Sequence, residues 1–423
     1  MPPSLIRGKR HDYYGLFGMT SNRTNASRRS VSSGTDGISP MRITFLLPGF
    51  SRKPMGGFKV TYQYANQLVS RGHQVTVVHP ESSPNYDALR AGNGRSFRDV
   101  LRRCRSLWWS RVLFPRLPWV RIDPRVKMLS ITKPDSGLIP DADAIFASTW
   151  YTAELVLSYP EWKGKKFYLI QHYETWDGPK ERVDGAWRAP LKKVVIAQWL
   201  FELGLSLGCP ESEMAYIPNG LDHTMFRLCN PITGRGKRLA MAYFPWLAWK
   251  GSAEGLAAIE IAKRKYPDLA VTFFSISRRP RSLPRWIEYR RDPPQRALIE
   301  DIYNRSSIFV CPSWSEGSAA PPMEAMACGC ALAATDIPAI HEHATHGATA
   351  LLSPARDPQS LANNIIRLLG DEDFRAELAR AGNEHIRSFT WERSTTRLEK
   401  FLAGNLASAR GGDDKCIDRL TAL

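Results

Sequence analysis

The apolar run Ile43-Thr44-Phe45-Leu46-Leu47 is broken by Pro48-Gly49. Gly56-Gly57 then opens a stretch with Val60, Tyr64, Leu68 and Val69 at helical spacing, and Val75-Thr76-Val77-Val78 follows Gly72. This stretch decides the fold. A strand, a glycine turn, an amphipathic helix and a second strand make a βαβ unit, which requires a parallel sheet. Strand patterns recur at Ala144–Ala147, Phe167–Ile170 and Val194–Ala197, before Ile217-Pro218-Asn219-Gly220 punctuates the chain. After the polar stretch 230–238 the alternation resumes at Leu239–Tyr243, Ala270–Phe274, Ile308–Cys311 and Ala331–Ala334, with a helix near 253–264. Later helices are expected at 359–369, 374–386 and 391–402. The reading is an α/β chain of two doubly wound, Rossmann-like domains facing a cleft, with ligands beyond the carboxyl ends of the strands.

The expected boundaries are a disordered extension over 1–40, a first domain over 41–218, a linker over 219–238 and a second domain over 239–390. A helix over 391–403 packs back on the first domain, and 404–423 is a frayed tail. Residues 1–40 lack the apolar core of a secretory signal, and Met41 is a candidate initiation site.

The 423 residues suffice for two or three domains, and 43% hydrophobic with 23% charged residues excludes a wholly disordered chain. No stretch reaches the ~18–20 apolar residues of a membrane-spanning helix. Seven scattered cysteines without a CxxC argue for reduced thiols and a reducing compartment. The net charge of +17 calls for an anionic partner or surface.

The stretch most informative about chemistry runs from Pro312 to Gly329. A strand ends at Cys311, a loop of small residues follows, and Pro321-Pro322 starts a helix. Unpaired amides at such a start suit a diphosphate, and Ser318, Ala319, Ala320 and Met323 are the available donors. Glu316 and Glu324 bracket the loop. Because carboxylates repel phosphate, their targets are hydroxyls of a ribose or a sugar. A cap at Glu316 and a first-turn dipole residue at Glu324 explain the same spacing.

This loop resembles the E-x7-E region of the retaining GT-B glycosyltransferases, the large family 4 of glycosyl group 1 enzymes. The resemblance extends from about Met41 to Leu402. Ile217-Pro218-Asn219-Gly220-Leu221-Asp222, with Phe226, is similar to the interdomain element of that family. Ala333-Ala334-Thr335-Asp336 with Glu342 and Gly347 is similar to the stretch beyond the two glutamates, and Phe389-Thr390-Trp391 to the element before the last helix. The resemblance implies that Glu324 binds the ribose diol and Glu316 the donor sugar. It implies that Gly317 and the amides of Ala319 and Ala320 touch sugar and phosphate, and that Lys250, before Gly251, neutralises the departing diphosphate. Gly57 would let backbone approach the β-phosphate. His172, in Gln171-His172-Tyr173-Glu174 after a strand, would orient the reacting sugar, with Glu174 a candidate acceptor contact.

Two departures bear on donor identity. Ser318-Ala319-Ala320 stands where Phe-Gly-Leu is usual, and Tyr243-Phe244-Pro245-Trp246 replaces an arginine, for which Arg278 or Arg279 are candidate substitutes. Asp141-Ala142-Asp143 spells a metal motif of a different glycosyltransferase fold but reads as a surface turn, and no metal is expected. Neither GxGxxG after the first strand nor GxxxxGK[ST] is present.

Between Arg90 and Lys133, basic residues alternate with tryptophans. Arg102, Arg103, Trp108 and Trp109 are candidates for an anionic membrane surface, and a solvated arginine-rich insertion is the alternative. The whole reading is an enzyme moving a sugar from a nucleotide diphosphate donor to a hydroxyl of a glycan or lipid-linked glycan. It is expected in the cytoplasm, either free or peripheral on the inner face of the plasma membrane, with no nucleic-acid partner. The alternative is a non-catalytic GT-B-like protein that binds nucleic acid or anionic surfaces.

Overall fold

Residues 127–195 supply consecutive short apolar strands, and they join the opening βαβ unit in one parallel sheet. The computed structural model describes residues 38–51, 53–81, 117 and 119–420, with side chains as far as residue 407. The first sheet contains β1 (Arg42–Leu46), β2 (Gln74–Pro80), β3 (Lys127–Ile131), β4 (Ala144–Ala147), β5 (Lys165–Ile170), β6 (Lys192–Val195) and β7 (Met214–Tyr216). Its order is β3-β2-β1-β4-β5-β6-β7, every pair parallel. The central strands are mostly apolar and buried because helices cover both faces. Phe45, Phe146 and Phe167 stack on adjacent strands at 4.8 and 4.9 Å, and full burial of each contributes about 1.5–3 kcal/mol.

The second sheet, of order β10-β9-β8-β11-β12-β13, is also parallel. Its strands are β8 (Arg238–Ala242), β9 (Ala270–Ser275), β10 (Ile287–Arg291), β11 (Ile308–Cys311), β12 (Ala331–Thr335) and β13 (Ala350–Ser353). The sequence pattern alone shows no strand for β3, β7, β10 or β13. All four lie at sheet edges, where short length and charged residues such as Lys127, Arg290 and Arg291 dilute the apolar signal.

The helices that matter for the cleft are α1 (Gly56–Ser70), α2 (Trp150–Ser158), α3 (Lys180–Arg188), α4 (Gln198–Ser206), α5 (Ser252–Lys265) and α6 (Ala320–Ala327). Short α7 (Pro338–His341) follows, then α8 (Pro358–Gly370), α9 (Glu372–Ile386) and α10 (Trp391–Leu420).

Helix α10 returns to the first sheet. Trp391, Leu398 and Leu402 are buried in the first domain's core, and Tyr64 meets Trp391 edge to face at 5.3 Å. Arg71 pairs with Glu399 and donates to Thr396 Oγ1 at 2.8 Å, while His73 Nε2 lies 2.9 Å from Glu399. The element Ile217–Gly220 meets the start of this helix. A Cβ on Gly220 would lie 2.1 Å from the Trp391 nitrogen, so only glycine fits.

The frayed tail expected from residue 404 is corrected: α10 continues to Leu420. The segment has no proline, and Gly411-Gly412 costs only about 1 kcal/mol per residue relative to alanine. Residues 1–37 of the expected extension lie outside the described residues. So do Arg102, Arg103, Trp108 and Trp109.

Candidate active site

The carboxyl ends of β1 and β5 face the loop after β11 across the cleft. On the second domain, β11 ends at Cys311 and the chain runs through Ser315, Glu316 and Gly317 into α6. Its N-cap, Ala319, has no side chain to offer the first turn. Pro321 and Pro322 lack N–H groups, so the backbone donors near the helix start come from the loop and from Met323.

Lys250 reaches this loop from the turn before α5. Its Nζ lies 2.7 and 2.8 Å from the two oxygens of Glu316 and 5.8 Å from the Phe244 ring centroid. Gly251 permits the approach. It sits at φ +60°, and a Cβ there would stand 1.9 Å from the Pro312 carbonyl oxygen. Tyr243, in the aromatic run that replaces the expected arginine, is buried and stacks on Phe273 at 5.1 Å. Arg279 does not substitute for that arginine. Its guanidinium donates to the carbonyls of Ile287 at 2.7 Å, Leu283 at 3.2 Å and Pro284 at 2.6 Å.

Glu324 is buried in the first turns of α6. Its Oε2 accepts the Tyr303 hydroxyl at 3.1 Å. Its Oε1 lies 2.8 Å from Nζ of Lys59, which projects from α1 of the opposite domain. Lys59 was missed in the sequence, yet a signal existed: a lysine in a first helical turn opposes the helix dipole, and α1 carries no acidic residue there.

His172 enters from the loop after β5. Its Nδ1 accepts the Tyr173 amide N–H at 2.8 Å, so the neutral ring carries its proton on Nε2. Nε2 faces Ser315 Oγ of the other domain at 3.4 Å. Burial lowers its pKa to about 4, Glu316 pulling the other way and Lys250 adding to the fall. The imidazole at neutral pH is therefore an uncharged N–H donor. It is enclosed by Trp176 at 4.3 Å and Trp199 at 5.7 Å, and Trp176 packs at 5.4 Å on Trp249 beside Lys250.

Within the first domain the Gln171 side chain donates to the Gly57 carbonyl at 3.1 Å. Across the cleft the two domains touch through backbone: a Cβ on Gly317 would lie 1.9 Å from the Gln171 carbonyl oxygen. Trp199 Nε1 donates to the Gly317 carbonyl at 3.1 Å. Glu342 accepts the Gln198 amide at the start of α4 and the Tyr216 hydroxyl, both at 2.6 Å. Gly57, His172, Lys250, Glu316, Gly317 and Glu324 thus line one cleft. Glu174 does not join them. Its carboxylate accepts the Trp150 amide at 2.9 Å at the start of α2, and burial raises its pKa to about 8. This carboxyl is spent inside its own domain, which corrects the acceptor contact expected of it.

Asp141 pairs with Lys163 at 2.7 Å and Asp143 with Arg42 at 2.9 Å. Among the described residues, no group of three or more His, Cys, Asp or Glu side chains could hold a metal ion. A cavity of about 210 Å³ lies elsewhere, lined by Tyr216, Pro218, Asn219, Thr390, Arg393 and Arg397 at the linker and the start of α10.

Residues 250–371, which hold Lys250, Glu316 and Glu324, match the family described as glycosyl transferases group 1. Over that segment the chain is similar to the glycosyl transferases group 1, and its fold is GT-B. A D-inositol 3-phosphate glycosyltransferase of Nocardiopsis dassonvillei is 29% identical over 110 residues, 26% of either chain. The same enzyme of Corynebacterium efficiens is 29% identical over 127 residues, 30% of either chain. The chain therefore spans only about a quarter to a third of the length of these curated relatives. Over the whole fold, Anabaena HepE in complex with UDP and glucose superposes with a TM-score of 0.62 at 16% identity, covering 86% of this chain and all of that one. Sucrose-phosphate synthase of Thermosynechococcus elongatus gives 0.62 at 15% identity, covering 87% and 99%. The GT-B fold accounts for the two sheets and the returning helix together.

Proposed function

We propose that this protein transfers a sugar from a nucleoside diphosphate donor to a hydroxyl of a glycan or lipid-linked glycan, with retention at the anomeric carbon. The observation that carries the reading is the convergence, in one cleft, of the α6 start, Lys250 on Glu316, buried Glu324 and the Nε2–H of His172 from the opposite wall. Glu324 is the ribose ligand and the amides around Ala319 and Ala320 hold the diphosphate. As the sugar–phosphate bond breaks, negative charge grows on the leaving oxygen, and Lys250 with the helix dipole neutralises it. Preorganised groups of this kind supply the larger part of many rate enhancements. Neutral His172 donates a hydrogen bond to a sugar hydroxyl or ring substituent and orients the ring. The Trp199–Gly317 contact, with Glu342 on Gln198 and Tyr216, holds the walls together and limits attack by water.

The chemistry assigned here uses side chains and amides for every neutralising step, without a resident metal. UDP and glucose bound by the Anabaena neighbour favour a uridine donor. A reducing, cytoplasmic setting fits the free thiols of Cys209, Cys229, Cys311, Cys328 and Cys330, and no helix among the described residues is long and apolar enough to cross a membrane. The test is a screen of UDP-, GDP-, ADP- and dTDP-sugars for slow hydrolysis, which needs no acceptor. One donor class is expected to be hydrolysed, and the rate to fall in Lys250→Ala. Hydrolysis of none, with thermal stabilisation by polyanions alone, would contradict the reading and favour a non-catalytic binder.

A further inference from the structure

Glu324 has two oxygens and both are engaged: Oε2 by the Tyr303 hydroxyl at 3.1 Å, Oε1 by the Lys59 ammonium at 2.8 Å. A ribose diol that binds this carboxylate must share or contest these oxygens with the donors already on them. Tyr303 cannot yield, since it is fully buried with Phe226, Phe274 and Phe309 around its ring at 6.5, 5.8 and 5.7 Å. Lys59 can, because its side chain is 33% exposed and ends on a flexible four-carbon stem. Its Nζ also lies 5.0 Å from the Phe226 ring, a second resting place for a cation.

An ammonium removed from a partly buried carboxylate loses stabilisation unless another anion replaces it. Lys59 stands in the first turn of α1, two residues beyond Gly57, at the helix end that disfavours a cation and attracts an anion. We propose that Lys59 is a donor-binding residue of the first domain, its ammonium competing with the ribose hydroxyls for Glu324 Oε1 and passing to the diphosphate when they take that oxygen. This rests on the donor reading above and adds a residue outside the matched segment 250–371.

The mechanism has a signature of sign. A nucleoside brings the hydroxyls that displace Lys59 but no anion to receive it, whereas a nucleoside diphosphate brings both. Removing the ammonium should therefore tighten one ligand and weaken the other.

A thermal-shift panel of UDP, GDP, ADP and dTDP first selects the diphosphate that binds the wild-type protein. Calorimetry then compares that diphosphate and its parent nucleoside on wild type, Lys59→Met and Lys59→Arg. Lys59→Met should bind the nucleoside about threefold or more tightly and the diphosphate about tenfold more weakly. Lys59→Arg should keep both within about threefold. Parallel losses, parallel gains or no change in Lys59→Met would overturn the assignment while leaving the donor reading intact. If none of the four diphosphates shifts the wild type, the donor reading falls and this assignment with it. Because Lys59 is a third exposed, a Lys59→Met protein with wild-type circular dichroism and melting is the expected control. Should it not fold, Lys59→Gln serves the same comparison.

Discussion

The two walls of the cleft are built on different plans. The wall of the second domain is continuous in sequence: one strand, one loop and one helix carry Glu316, Gly317 and Glu324, and a nearby turn brings Lys250. The wall of the first domain is assembled from the ends of separate strands: Gly57 and Lys59 after β1, Gln171, His172 and Trp176 after β5, Trp199 after β6. Charge is concentrated on the first of these walls, and shape and neutral hydrogen bonding on the second. Lys59 is the exception that crosses between them. Anion neutralisation needs fixed dipoles held by one rigid element, whereas orientation of a sugar needs donors from several directions.

The sharpest way to break this division is at Lys250. Lys250→Ala should lower kcat by about 10²–10³-fold, about 3–4 kcal/mol of lost charge stabilisation, with a smaller change in donor KM, read by donor hydrolysis. An effect on KM alone would make Lys250 a binding group and blur the contrast. His172→Ala probes the opposite wall. Loss of one neutral donor should cost about 10–100-fold in kcat, with donor KM within about threefold.

Gly317→Ala tests whether the walls must meet. Its Cβ would stand 1.9 Å from the Gln171 carbonyl oxygen, so the loop must withdraw and the Trp199 hydrogen bond lengthen. The expected loss is about tenfold in kcat, with about 1–3 kcal/mol of stability, measured by steady-state kinetics and denaturant melts.

Titration gives the smallest effects. His79, His172 and His343 are lowered by burial to about 4, 4 and 3. The unfolded chain binds protons near pH 6.5 that the fold refuses, so stability should fall as pH drops from about 6.5 towards 4. Glu174 has the opposite sign. Raised to about 8, it is protonated in the fold, and its contribution is lost as pH rises from about 4.5 to 8. Glu174→Gln should keep activity and, by calorimetric melting, remove about 1 kcal/mol of that upper decline. A melting temperature that does not fall between pH 6.5 and pH 4.5 would count against the buried neutral histidines.

The same asymmetry explains which features are legible in the sequence. The second wall is legible because its spacing is local: Glu316 and Glu324 bracket a loop whose prolines announce a helix start. Central strands are legible because burial on both faces makes most of their residues apolar. The pairing of Lys250 with Glu316, and of Lys59 with Glu324, depends on side chains 66 and 265 residues apart, and no local pattern encodes such distances. Glu174 shows the converse error. It stands two residues from His172 in sequence, at a strand end facing the cleft, but its carboxyl turns inward to the start of α2.

Glu324 is the group proposed to hold the pentose of the donor, and every other role in the cleft depends on that placement. Calorimetric titration of wild-type and Glu324→Ala protein with the preferred nucleoside diphosphate measures this directly. A dissociation constant about 10–100-fold weaker in the variant, with the fold retained, is the result expected from losing two charge-assisted hydrogen bonds. An unchanged dissociation constant would contradict it.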